Sequence, residues 1–98
     1  MESRISDILN RMNDVNRKLN ELKKKYRNVK RAEAAYTINV STTIRELDDG
    51  IERYDHLSFD LKGELLTAVL DVMKEYYRKN GKECIAELDE LAEELKNQ

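Results

Sequence analysis

Nine consecutive residues, Lys23-Lys24-Lys25-Tyr26-Arg27-Asn28-Val29-Lys30-Arg31, carry six cationic side chains. Ammonium and guanidinium groups at this density attract a phosphate backbone, a phosphorylated small ligand or an acidic protein face, and an oligomer presents the cluster more than once. On a helix the nine residues point in all directions, and Tyr26 and Val29 fall on an apolar stripe rather than on a base-stacking platform. The plainer reading is a solvated or internally paired helix face. Lys23, Lys24, Lys25, Arg27, Lys30 and Arg31 are the candidate contacts for a partner or polyanion.

The other chemistry-bearing residues are sparse. His56 is the sole histidine; with Asp48 and Glu52 it stands at i,i+4 spacing, so in a helix the three would share a face and could touch a divalent metal. No Glu-x-x-His pair on a facing helix completes such a site, and a polar helix end accounts for them equally well. The lone Cys84, beside Glu83 and Glu87, has neighbours that raise a thiol pKa, which argues for packing rather than nucleophilic attack. The tyrosines 26, 36, 54, 76 and 77 fall mostly at apolar helical spacing and read as core or interface filling. No Gly-rich phosphate loop, Gly-x-Ser-x-Gly elbow or paired-cysteine zinc spacing occurs. The expectation is a non-enzyme with no cofactor and no metal.

The element carrying the basic cluster is patterned as a helix. Ile5, Ile8, Met12, Val15, Leu19, Leu22, Tyr26 and Val29 occupy every position of a 3,4-spaced stripe, and the register runs on through Tyr36, Val40 and Leu47. Such a stripe is the seam of a coiled coil or a long bundle helix. It predicts one helix over residues 3–50, which could kink or restart at 37–43, where Thr37–Ile44 is rich in β-branched residues. Those residues also suit a strand, but a lone strand has no partner in this reading. Ser58 is a candidate N-cap for a central helix over 58–79, Asn80-Gly81 a helix stop, and 82–96 an acidic C-terminal helix. Glu83, Glu87, Glu90 and Glu94 line one side of that last helix as an acidic counter-face.

The expected fold class is thus all-α: one domain, 1–98, with a long heptad-patterned helix followed by a two-helix hairpin, assembled as an oligomeric bundle or coiled coil. Composition agrees, with 39% charged residues, no proline and three glycines in 98 residues. A helix over 3–50 is about 70 Å long against about 31 Å and 22 Å for the later two. The uncovered seam then calls for a second copy of the chain.

Partner orientation follows from charge. Residues 1–31 hold ten Lys/Arg against four Asp/Glu, whereas 32–98 hold eight against sixteen. A parallel, in-register homodimer would set Lys18 against Lys23 and Lys25 against Lys30, so antiparallel or mixed-helix packing is favoured. The expected function is an oligomeric helical protein–protein interaction module, a regulator or inhibitor of another macromolecule. The alternatives are nucleic-acid binding by the basic cluster and binding of a small phosphorylated ligand at a subunit interface. The single cysteine, the start Met1-Glu2-Ser3-Arg4 and the lack of a long apolar run fit a cytoplasmic chain without a secretion signal or membrane span.

Overall fold

The computed structural model describes residues 2–98. Helix α1, Glu2–Ala32, leads into strand β1, Thr37–Asp48; a two-residue turn returns the chain as β2, Ile51–Lys62, and helix α2 runs from Gly63 to Lys96. The strands form one antiparallel hairpin, with Thr37 opposite Lys62 and Asp48 opposite Ile51. The fold is therefore not all-α, and no two-helix hairpin follows a long first helix.

The predicted helix 3–50 ends at Ala32 because the chain there tightens and then becomes β-branched. Backbone amides of Glu33, Ala34 and Ala35 bond the carbonyls of Lys30, Arg31 and Ala32, a narrowing i→i+3 pattern typical of a helix end. Beyond it, Thr37, Ile38, Val40, Thr42, Thr43 and Ile44 favour extended backbone. The partner strand absent from the sequence reading is 51–62, where the candidate cap Ser58 lies mid-strand. Asp49-Gly50 makes the connection, with φ of 50° and 78°. Two successive left-handed residues are what a type I′ hairpin turn requires, and Asp and Gly are among the residues that reach that region most readily.

The predicted stop at Asn80-Gly81 is also overturned, because α2 passes straight through it. Both halves of α2 lie on α1, so tertiary packing outweighs the weak helix propensity of Asn and Gly. The eight-residue stripe of α1 is buried or half-buried throughout. Val15, Leu19 and Leu22 cluster with Cys84 and pack Tyr77, Leu88 and Leu91; Val29 clusters with Leu66 and Leu70. The helices run antiparallel, since Arg11 meets Glu87 while Glu33 meets Lys74. Their 31 and 34 residues correspond to about 46 Å and 51 Å, so α2 shelters the whole seam of α1. The seam needs no second copy, which removes the length argument for an oligomer.

A Cβ added at Gly81 meets only Leu19 Cδ1, at an ordinary 3.8 Å. Gly81→Ala is accordingly expected to raise stability by about 0.5–1 kcal/mol, read from the midpoint of urea unfolding. A loss of stability would show that α2 is interrupted there.

Candidate interaction site

Alternation along the hairpin sorts its side chains onto two unlike faces. One carries Asn39, Ser41, Thr43 and Arg45 from β1 with Asp60, Ser58, His56 and Tyr54 opposite, and Glu52 on the same face opposite Leu47. These groups bond one another across the strands. Asn39 Nδ2 donates to Ser58 Oγ at 2.7 Å and to Asp60 Oδ1 at 2.9 Å, Ser41 Oγ donates to Asn39 Oδ1 at 2.9 Å, and Thr43 Oγ1 lies 2.9 Å from His56 Nδ1. Arg45 pairs with Glu52. Leu47 and Tyr54 are the exceptions near the tip. A polar network open to water suits a solvent face.

The opposite face carries Ile38, Val40, Thr42 and Ile44 from β1, with Leu61, Phe59 and Leu57 across from the first three. At its base Ile38 and Leu61 pack on the Val29, Leu66 and Leu70 cluster; they are the only strand residues that are not exposed. Further out nothing covers it, and Val40, Ile44, Leu57 and Phe59 remain 42%, 37%, 38% and 55% exposed. The apolar face continues into a 340 Å³ groove where Ile38, Val40 and Leu61 meet Val69, Met73 and Tyr77 of α2. Beside it Leu65, Val72 and Tyr76 form an exposed second stripe on α2. One apolar side of α2 thus faces α1 and the other is open.

The basic cluster lies on the last two and a half turns of α1. Lys23, Lys24, Lys25, Arg27, Lys30 and Arg31 are all exposed, and none forms an ion pair among the described residues. The acidic counter-face does not reach them, because antiparallel packing sets the end of α2 against the start of α1. Glu87 meets Arg11 and Glu94 meets Arg4, whereas Glu83 and Glu90 have no ion-pair partner among the described residues. Acidic-on-basic packing thus occurs within one chain and spares the cluster. Tyr26 turns inward from the cluster. Its hydroxyl accepts a 3.0 Å bond from Arg78, and Lys30 and Arg78 lie 5.9 and 5.7 Å from its ring centre. That bond holds the Tyr26 phenol below its ordinary range. Tyr26 also lines a mostly apolar 370 Å³ groove with Lys23, Arg78 and Lys82 at its margin.

The helix-based metal reading of Asp48, Glu52 and His56 has lost its geometry, since in strands Asp48 falls on the apolar-face side and the other two on the polar side. No group of three or more His, Cys, Asp or Glu suited to a metal occurs among the described residues. Cys84 is buried between the helices, as the packing reading expects. No helix among the described residues is long and apolar enough to cross a membrane.

Lys74, 23% exposed, bridges Glu33 at 2.5 Å and Asp71 at 3.4 Å, tying α2 to the end of α1. The Glu33 hydrogen bond chiefly, then Asp71, raises its pKa above the ordinary 10.5, against the opposing effect of desolvation. A folded value above the unfolded one means the contribution is complete below about pH 10 and is lost as pH rises through the folded value. Lys74→Gln is expected to lower stability at pH 8 and to flatten the alkaline fall in stability above pH 10, read by urea titrations at both ends. An unchanged alkaline limb would place the bridge outside the folded state.

Compared with known proteins, the chain matches no family model, and no curated protein or solved structure matches it.

Proposed function

We propose that this chain is a protein–protein interaction module, oligomeric in its working form and without chemistry of its own, whose contact surface is the apolar face of the hairpin. The observation that carries this reading is the exposure of a whole hairpin. A domain of about 100 residues built around one core has a radius of gyration of about 13 Å; this chain has 20.3 Å and extents of 56 × 42 × 14 Å. Beyond Ile38 and Leu61 the two twelve-residue strands stand clear of the helices, with an apolar patch over Val40, Ile44, Leu57 and Phe59, and an isolated two-stranded hairpin is marginal in water at best. A surface of this kind, apolar and continuous with a groove, marks a place where another protein sits. The buried, unpaired Cys84 suits a reducing compartment, and the cytoplasm is the proposed location.

Solution mass by sedimentation equilibrium, combined with amide exchange of the hairpin, tests the proposal. A mass above that of one chain, or a stoichiometric protein partner, with the strand amides protected only in the assembled form, is the expected result. A monomer at micromolar concentration whose strand amides are already protected would overturn it.

The basic cluster, without ion pairs among the described residues, favours a second reading, contact with a polyanion. Retention on heparin that falls steeply with salt, and is abolished when the six basic residues become Gln, would support it. Retention unaffected by those substitutions would dismiss it.

A further inference from the structure

The two outer edges of the hairpin are chemically unlike, and the difference points to a second copy of the chain. From Thr37 to Ile44 strand β1 reads Thr-Ile-Asn-Val-Ser-Thr-Thr-Ile, eight residues without a charge and mostly β-branched. The eight residues of β2 that face them, 55–62, carry Asp55, Asp60 and Lys62, with Glu52 and Arg53 further towards the turn. Charged edges discourage strand addition, and an uncharged β-branched edge invites it. One edge of this sheet is guarded and the other is open.

Turn geometry decides which backbone groups the open edge offers. A type I′ turn joins the Asp48 carbonyl to the Ile51 amide, so Asp48 and every second residue before it bond inward to β2. The amides and carbonyls of Thr37, Asn39, Ser41, Thr43 and Arg45 therefore point outward, unpaired within the chain.

We infer that β1 pairs antiparallel with β1 of a second copy about a two-fold axis at Ser41, making a four-stranded sheet in the order β2-β1-β1-β2. This rests on the proposed interaction reading and names a second copy as the partner that extends that surface along its edge. Ser41 is the outward-bonding residue in the interior of the uncharged run that lets the run pair with itself while the strands stay inside their observed limits. In that register Ile38 faces Ile44 of the other copy, Val40 faces Thr42, Asn39 faces Thr43 and Ser41 faces its own equivalent. No charge meets a charge, and the β-branched and hydroxyl pairs are of the kind that stabilise sheets. The same operation on β2 fails. Centred anywhere from Asp55 to Ser58, it sets Asp55 against itself, Glu52 against Asp60, or Asp55 against Phe59 or Leu61.

Pairing also enlarges the apolar patch. On one chain it runs from Ile38 to Ile44 with Leu57 to Leu61 opposite, about 23 Å of strand, before Glu46, Asp48, Arg53 and Asp55 take over the same face towards the turn. Joining two β1 edges doubles that patch, because alternation keeps Val40, Ile44, Leu57 and Phe59 of both copies on one side. The antiparallel sense sends the two helix pairs to opposite ends of the sheet.

Cysteine cross-linking and amide exchange on the full chain test the pairing. Ser41→Cys is expected to oxidise to a covalent dimer under mild oxidant, since facing residues in a hydrogen-bonded pair lie about 5.5 Å apart at Cα, within disulfide reach. Ser58→Cys, about 14 Å from its equivalent across three strand spacings, is expected to stay reduced. Ser41→Pro removes an outward amide and leaves the hairpin ladder intact; by symmetry it deletes two bonds and weakens the dimer about thirtyfold. In the native chain the amides of Asn39, Ser41 and Thr43 gain protection with concentration, while those of Tyr54, His56 and Ser58 do not. Cross-linking of Ser58→Cys, or a Ser41→Cys chain that stays reduced, overturns the β1 pairing. If the unlinked chain is nevertheless an assembly, the broader interaction reading stands; if it is a monomer with a protected hairpin, both fall.

Discussion

Leu19→Ala is expected to lose about 2–5 kcal/mol of stability, the usual range for emptying a buried leucine site. Few residues share the load in this fold. Among the described residues eight side chains are buried, seven of them in two small clusters, and none falls below 2% exposure. Leu19, at 7%, sits in the cluster that joins α1 to α2, against Val15, Leu22 and Cys84, and its Cδ1 lies 3.8 Å from where a Cβ on Gly81 would stand. Two rods in contact along one seam relax poorly into a void, because no third layer can move in to fill it. A thermal melt followed by helix circular dichroism is expected to fall by at least about 10 °C. Leu9→Ala, at a side chain 44% exposed, serves as the comparison and is expected to stay within about 0.5 kcal/mol of the parent. Equal effects at the two positions would mean that α1 buries a different face from the one described.

Val40→Asp combined with Phe59→Asp is the second large effect expected, this time on association. Val40 and Phe59 face each other across the strands on the apolar side and are half-exposed in the single chain. Carboxylates there cost the isolated chain little but leave unpaired charges in any interface that covers them. Central aromatic and aliphatic anchors of interfaces are worth about 2 kcal/mol or more each, so assembly is expected to weaken at least thirtyfold. Thr43→Asp, on the hydrogen-bonded polar face, is the matched control and is expected to leave assembly within a few-fold of the parent. Should the Val40 and Phe59 carboxylates leave the mass unchanged while the control disrupts it, the polar face is the contact surface. Should neutralising the six basic residues alone abolish assembly, the contact is electrostatic and lies on α1.

Much of the helical architecture was legible from residue order. The stripe from Ile5 to Val29 identified the buried side of α1, because 3,4 spacing places those side chains along one line whatever covers them. The stripe continued into β1 by coincidence: Tyr36, Val40, Ile44 and Leu47 satisfy helical spacing, yet Ile38, Val40 and Ile44 also satisfy strand alternation. Short β-branched runs are ambiguous between the two periods, and the deciding signal lay elsewhere, in Asp49-Gly50. An Asp-Gly pair between two alternating segments is a hairpin signature. Read as the end of a helix over 3–50, it hid β2, and without β2 the first strand had nothing to pair with. Of the candidate sites, the basic cluster and the acidic counter-face were visible as charge counts. The apolar hairpin face was not, since it exists only when two strands stand in register.

By itself, residue order determined a one-sided first helix, two chemically opposite ends, an uncharged β-branched run and a turn able to hold two left-handed residues; each follows from local sterics and periodicity. Only the tertiary structure decided that α2 is continuous and long enough to cover α1, which pairs Arg11 with Glu87 and leaves Lys23 to Arg31 without carboxylate partners among the described residues. It also decided that the uncovered apolar surface belongs to the hairpin and the back of α2 rather than to the seam. The physical reason is that burial is a property of pairs of elements. A stripe states which side seeks cover, and only the antiparallel arrangement of two helices and the register of two strands states which of those sides has found it.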